Sequence, residues 1–225
     1  MKSRQDIKAI GKERFKANYW NCVLAIVIVG VIISVISGIG SIGTDDDGPG
    51  PLYGIMSIVS LIIQGPLTIG LAGFFIFNIY GNQEITATYP VTSCQERFGR
   101  KVGGYLWMVL FTFLWSLLFI IPGIIKGFSY SMTPYILADC PNVKARDALK
   151  LSMRIMAGHK WDLFVFYLSF IGWGLLSCLT LGLLQIFYVG PYMNSSAAVW
   201  YLEARQEALE RGVITMGQLE GVEPV

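Results

Sequence analysis

The fold class this sequence predicts is an all-α, polytopic transmembrane helical bundle, and two observations predict it. Five stretches carry no charged residue: 17–44, 48–83, 102–125, 127–138 and 163–202. An apolar run of about 18 or more residues is long enough for a helix to cross hydrocarbon, and all of these stretches except 127–138 exceed that length. The second observation is composition: 54% of residues are hydrophobic and 14% charged, with mean hydropathy +0.56. A soluble domain needs a more polar surface and could not hide all five stretches at once.

Charge placement orders the spans. The opening arm, residues 1–18, holds Lys2, Arg4, Lys8, Lys12, Arg14 and Lys16 against only Asp6 and Glu13. A short basic arm favours the cytoplasmic face. The run behind it is long and lacks a convincing cleavage site, so it is expected to be retained as the first span rather than removed as a signal peptide. Asp45, Asp46 and Asp47, followed by Gly48, Pro49, Gly50 and Pro51, read as an exposed outer loop between spans near 20–42 and 53–79. Arg97, Arg100 and Lys101 bring the chain inside again, and so do Lys144, Arg146, Lys150, Arg154 and Lys160. An even number of crossings must separate these basic segments, which predicts an out-and-back pair within 102–138. Pro122 and Gly123 mark its turn. The return arm, 124–138, is short for a full span, so a tilted, broken or re-entrant segment is equally compatible. The last run divides at Thr180, Leu181 and Gly182 into 163–180 and 183–202. The expectation is therefore one integral membrane domain, 1–225, with six passes, Pro/Gly-broken helices, cytoplasmic amphipathic helices and a cytoplasmic tail at 203–225. Both termini are expected on the cytoplasmic side of the cell membrane.

The polar segments also read as helices. Ser3 and Asp6 have capping spacing, Ile7, Ile10 and Phe15 fall roughly on one face, and Lys8, Lys12 and Lys16 form a basic row. Such a helix either lies on anionic lipid or serves only to set topology. In 141–158, Asn142 is a candidate cap, Ala145, Leu149, Ser152, Met153 and Met156 form a small or apolar face, and Gly158 is a stop. Asp162 is a candidate cap for the next span. Gly30, Ser34 and Gly38 form a small-residue ladder suited to packing within the monomer or to a homodimer. Gly65 and Pro66 suggest a kink in the second span.

Residues that would carry chemistry are sparse. Lys126 interrupts the apolar region just past Pro122, where it snorkels, binds an anionic headgroup or couples transport. Asp139 lies at the inner end of the same arm, and Gln64 is a polar group within a span. His159 and Lys160 sit where a cytoplasmic helix joins the next span. These five are the candidate ligand or lipid contacts. One histidine cannot supply the histidine-rich ligand sets of common zinc hydrolases. Cys22, Cys94, Cys140 and Cys178 show no CxxC pair, hence neither a disulfide framework nor a zinc site. There is no GxSxG element, Walker loop or haem CxxCH. No catalytic, metal or cofactor residue is assigned, and the basic segments fit anionic lipid rather than nucleic acid.

A family resemblance adds to this. Ile121, Pro122, Gly123, Ile124, Ile125 and Lys126 are followed by Tyr130, Ser131 and Met132, then by Tyr135 to Asp139. Ala148, Leu149, Ser152, Met153, Met156, Gly158, His159 and Lys160 continue the series through Thr180, Leu181 and Gly182 to Pro191 and Tyr192. The ordered series resembles the bacterial integral membrane family DUF975, over nearly the whole chain from Asn18. It also distantly resembles the membrane domain attached to some glycerophosphodiester phosphodiesterases, whose catalytic barrel is absent from this sequence. The resemblance implies an all-helical membrane protein without carrying over an activity. The function expected is a non-enzymatic module that organises lipid or a partner protein. The alternative is a small transporter or permeability factor for an apolar or zwitterionic solute.

Overall fold

The computed structural model describes residues 2–41, 44–45, 48–49, 51–81 and 85–225. Asp46, Asp47 and Gly50 of the expected outer loop lie outside them. Helix α1 (Arg4–Ala17) leads into α2 (Tyr19–Ser41), and α3 (Pro51–Ile79) packs back along α2. Two short strands, Thr44–Asp45 and Gly48–Pro49, pair antiparallel between these helices. Helix α4 (Tyr89–Thr92) and a 3-10 turn (Ser93–Gln95) precede α5 (Phe98–Leu118), along which α6 (Ile120–Tyr130) and α7 (Thr133–Asp139) return. Helix α8 (Ala145–Ile155) packs on α5, α6, α7 and α11 (Gly190–Glu210). Between α8 and α11 come α9 (Lys160–Leu168), α10 (Ile171–Leu179) and a π-helical turn (Gln185–Val189). Helix α12 (Met216–Glu220) lies in the tail, closed by a Thr215–Gln218 capping box and Gly221 in the left-handed region at φ 75°.

Among the described residues, four helical segments are long and apolar enough to cross a membrane: Tyr19–Ile39, Tyr53–Ile79, Phe98–Leu118 and Lys160–Leu179. The expected six passes are thereby corrected to an all-α bundle with four candidate spans. The reasons are local. The arm after α5 breaks at Phe119, whose extended backbone (φ −157°, ψ 142°) splits it from α6, and Ser131 and Met132 separate α6 from α7. Its two helices have 11 and 7 residues. The arm after α10 passes through the π turn into α11, much of which is buried and whose second half carries Glu203, Arg205, Glu207 and Glu210. The fourth candidate span is itself α9 followed by α10, with Ser169 and Gly174 amides bonded to Val165 and Phe170 carbonyls across the join.

The expected break points fare differently. Pro122 lies in the first turn of α6, where a missing donor has no helical partner to lose. Gly123 instead permits close packing, since a Cβ there would stand 2.3 Å from Ser116 Oγ. Helix α3 runs through Gly65 and Pro66 without interruption, and Gly65 sits against the Tyr105 side chain. The turn at Thr180, Leu181 and Gly182 is present, with Leu181 and Gly182 at positive φ and Leu181 94% exposed. Lys144 rather than Asn142 precedes α8, and His159 rather than Asp162 precedes α9.

Helix α1 is capped at Ser3, whose side chain accepts from the Asp6 amide at 3.2 Å. Ile7, Gly11 and Phe15 recur every fourth residue and so share a face. That face is buried, and α1 packs on α11. The core joins these residues to the later part of α3, to α7 and α8, and to Phe166, Trp200 and Tyr201. Lys2 pairs with Glu203 at 2.8 Å, which brings the two ends of the chain to the same end of the bundle.

Candidate functional site

One set of polar side chains gathers where α7 meets α11. Asp139, the last residue of α7, accepts from Tyr201 Oη at 2.9 Å and from Arg205 Nη1, both on α11. The carboxylate and guanidinium are partly buried, so their attraction is screened less than a surface pair's. Burial disfavours the Arg205 charge and is the largest single influence, but Asp139, Tyr201 and Tyr80 together outweigh it and raise the arginine's pKa. Beside this pair, burial pushes the Cys140 thiol up to about 11, and Asp139 adds to the shift.

A second set of cations sits at the start of α5. Arg100 donates from Nε to Val143 O at 2.5 Å, from Nη1 to Leu137 O at 3.0 Å and from Nη2 to Cys140 O at 2.6 Å. One planar fork thus satisfies the terminal carbonyls of α7 and the loop behind it, a task suited to arginine. Arg97 donates from Nη1 to Pro141 O, and Lys101 from Nζ to Ser93 O. The arginine bonds tie the α4–α5 segment to the α7–α8 loop, and the lysine bond holds the α4–α5 segment to itself. Between them lies a small cleft of about 70 Å³, bordered by Tyr89, Ser93, Glu96, Arg97, Arg100 and Lys101.

The five residues expected as ligand contacts do not converge. Lys126, partly buried on α6, places Nζ 4.8 Å from the centre of the Trp115 ring, a cation–π contact. Gln64 on α3 accepts from Tyr105 Oη at 2.8 Å. Asp139 is held by α11 as above. His159 contacts Glu207 Oε1 at 3.1 Å through Nε2 and Asp162 Oδ2 at 3.5 Å through Nδ1, with Arg211 Nη1 3.3 Å from Nε2. It therefore links the α8–α9 joint to α11. Lys160 opens α9. A separate cleft of about 240 Å³ between α2 and α3 is lined by Ser37, Tyr53, Met56, Ser57, Ser60, Leu61 and Gln64. It takes in Gln64 without Lys126 or Asp139.

Asp139 stands out in the sequence but its partners do not, because Arg205 lies 66 residues away. Arg97, Arg100 and Lys101 read there as topology alone. The one available signal was their position directly ahead of an apolar run, which a topological role explains equally well. Among the described residues, no group of three or more His, Cys, Asp or Glu side chains is arranged to hold a metal.

The family model described as "Protein of unknown function (DUF975)" matches residues 117–208. A DUF975 domain therefore covers the chain from the end of α5 into α11. The match is shorter than the extent suggested by motifs, which reached back to Asn18. No curated protein and no solved structure matches the chain. The likeness to membrane domains of glycerophosphodiester phosphodiesterases gains no support from these comparisons.

Proposed function

We propose that the protein is a non-enzymatic membrane module that organises lipid, and through it a protein partner, at the end of the bundle where its basic segments gather. The carrying observation is the separate engagement of the polar groups that a reaction centre or conduction path would use. Asp139 is bonded to Tyr201 and Arg205, Gln64 to Tyr105, and Lys126 lies over Trp115. A coupled transporter concentrates such groups around a shared cavity near midplane. Basic side chains and a large apolar exterior instead suit a body that orders the lipid around it. Trp20, Trp161, Leu117, Leu179 and Leu181 are all exposed, and surfaces of this kind mark a membrane or partner contact. The reading places the chain in the cell membrane, with both termini and the basic segments on the cytoplasmic side, facing anionic lipid.

Extraction in polymer-bounded native nanodiscs tests this. Anionic lipid enriched about twofold or more over the bulk membrane is the expected result; bulk composition together with no co-purifying protein would sink the reading. The hydroxyl-lined α2–α3 cleft favours a second reading, passage of a small zwitterionic or apolar solute. Flux through proteoliposomes that Ser60→Leu abolishes would establish it in place of the first.

A further inference from the structure

The cleft at the start of α5 contains a charge imbalance that the protein itself leaves open. Lys101 is only 7% exposed. Lysine is almost never buried to this degree without an opposite charge, because dehydrating an ammonium is costly. Yet the acceptor for its Nζ is a neutral carbonyl, that of Ser93, and two of its three N–H groups have no acceptor among the described residues. Arg100 gives three of its N–H groups to three more carbonyls, and Arg97 gives one to Pro141 O. Arg97, Arg100, Lys101 and Glu96 border one cleft, so three cations face one carboxylate. None of the three cations has an ion pair within 4 Å among the described residues, and Glu96 is exposed at the rim.

The cavity's chemistry is that of an oxyanion site. Its volume of about 70 Å³ exceeds the share of one liquid water, about 30 Å³, and leaves room for a compact tetrahedral group. Besides the cations, Tyr89 and Ser93 border the cleft. Its position supplies the source of the anion. Ser93, Arg97 and Lys101 stand where a candidate span begins, and Ile69 and Gly70 of the neighbouring span form the apolar wall. This is the level at which the polar headgroups of a bilayer meet its hydrocarbon.

We propose that this cleft binds the phosphate of an anionic lipid headgroup, with Lys101 as the buried counter-ion and Arg97 closing over the rim. This rests on the lipid-organising reading and gives it one specific site. The carbonyl bonds of Arg100 hold the walls together, so that residue positions the site rather than supplying its free donors.

The test uses the full chain in mild detergent and native mass spectrometry. Short-chain phosphatidylglycerol is the anionic probe, phosphatidylcholine the neutral one, and inorganic phosphate the competitor. The wild type is expected to retain one phosphatidylglycerol per chain in preference to phosphatidylcholine. Lys101→Met should lower its occupancy about tenfold, the worth of one charge-assisted hydrogen bond, and Lys101→Arg should restore most of it. Arg97→Gln, at an exposed position, provides a second variant whose fold is checked by circular dichroism, with a several-fold loss expected. Inorganic phosphate that binds as tightly as the lipid and is lost in both variants would overturn the lipid source. Phosphatidylglycerol retained equally by wild type, Lys101→Met and Arg97→Gln would overturn the cleft while leaving lipid organisation intact. No preference for phosphatidylglycerol in any form, with bulk composition in native nanodiscs, would overturn both.

Discussion

The end of the bundle that carries the termini and the end that carries the α5–α6 and α10–α11 turns are built on different principles. At the first, helices approach until side chains are excluded. A Cβ on Gly11 would meet Ser196 Cα at 2.7 Å, and one on Gly70 would meet Pro90 O at 2.5 Å. Polar groups there are bonded across long sequence separations, Asp139 to Arg205 and Arg100 to Val143 among them. At the second, one close approach, Gly123 of α6 against Ser116 of α5, stands beside open space around Gly174, and Leu117, Phe119, Ile120, Leu179 and Leu181 are exposed. Gly30, on the α2 face that carries the small-residue ladder, is equally open. A bilayer solvates apolar side chains as well as a protein core does. On the membrane reading proposed above, tertiary packing is needed where the chain would meet water and headgroups more than where it would meet hydrocarbon.

The largest effect should come from breaking the long-range pair. Asp139→Ala leaves Arg205 partly buried beside an emptied acceptor, and such orphaned charges cost about 3 kcal/mol, lessened here because Arg205 keeps some exposure. A lower midpoint in thermal unfolding, partly recovered by adding Arg205→Met, is the expected pattern. Equal midpoints for wild type and Asp139→Ala would show that the pair contributes nothing. Lys126→Ala, which removes only a cation–π contact with Trp115, should shift the midpoint far less.

A glycine pair sharpens the same contrast. Gly11→Leu forces α1 off α11 and is expected to destabilise by about 1–3 kcal/mol, the usual cost of overpacking. Gly30→Leu adds a side chain where nothing lies within 4 Å and should leave stability unchanged. Protease sensitivity of the α1–α2 junction reads the first directly: unchanged cleavage in Gly11→Leu would mean α1 is not held by that contact.

These two residues also show what the sequence could and could not reveal. Apolar runs, the Ser3 cap and the turn at Thr180 were legible because each depends on local chemistry. The docking of α1 was not, since a stripe of Ile7, Gly11 and Phe15 suits a lipid surface and a protein groove equally. Nor was the break at Phe119 legible: the expectation fell three residues later, on Pro122, because proline in a first helical turn and proline at a turn look alike in one dimension. The count of spans failed for a related reason. Much of 127–138 and of 189–202 is buried inside the bundle, and burial inside a protein reads the same in sequence as burial in lipid. At the site, Asp139 was visible as an odd residue, while Arg205 and the carbonyl clamp of Arg100 exist only after folding brings distant segments together.

A smaller effect is expected within the spans. Tyr105→Phe removes the bond to Gln64, at about 1 kcal/mol, and leaves the amide unpaired. Adding Gln64→Leu should return most of that loss, because an apolar pair suits this depth. A double variant no more stable than Tyr105→Phe would indicate that Gln64 has another partner, such as a solute in the α2–α3 cleft.

The thiols separate the two ends without disturbing either. Cys178 on α10 is exposed, whereas Cys140 beside Asp139 is buried. Burial first, and Asp139 second, raise the Cys140 pKa to about 11. The thiolate is the reactive form, so at pH 8 only about one Cys140 in a thousand is reactive even before access is considered. In detergent, uncharged N-ethylmaleimide should label Cys178 well ahead of Cys140. The linkage has a definite sign. A cysteine held protonated by the fold imposes no penalty below the unfolded pKa of about 8.5. Above that value the unfolded chain loses its proton first, and stability falls as pH rises toward about 11. Asp139→Asn removes the second contribution to the shift, so Cys140 should react faster there, and its alkaline loss of stability should still begin near pH 8.5 but level off at a lower pH than in the wild type. Equal labelling of Cys140 and Cys178 in the wild type would mean that the terminal end opens as readily as the apolar end, and the contrast between them would fail.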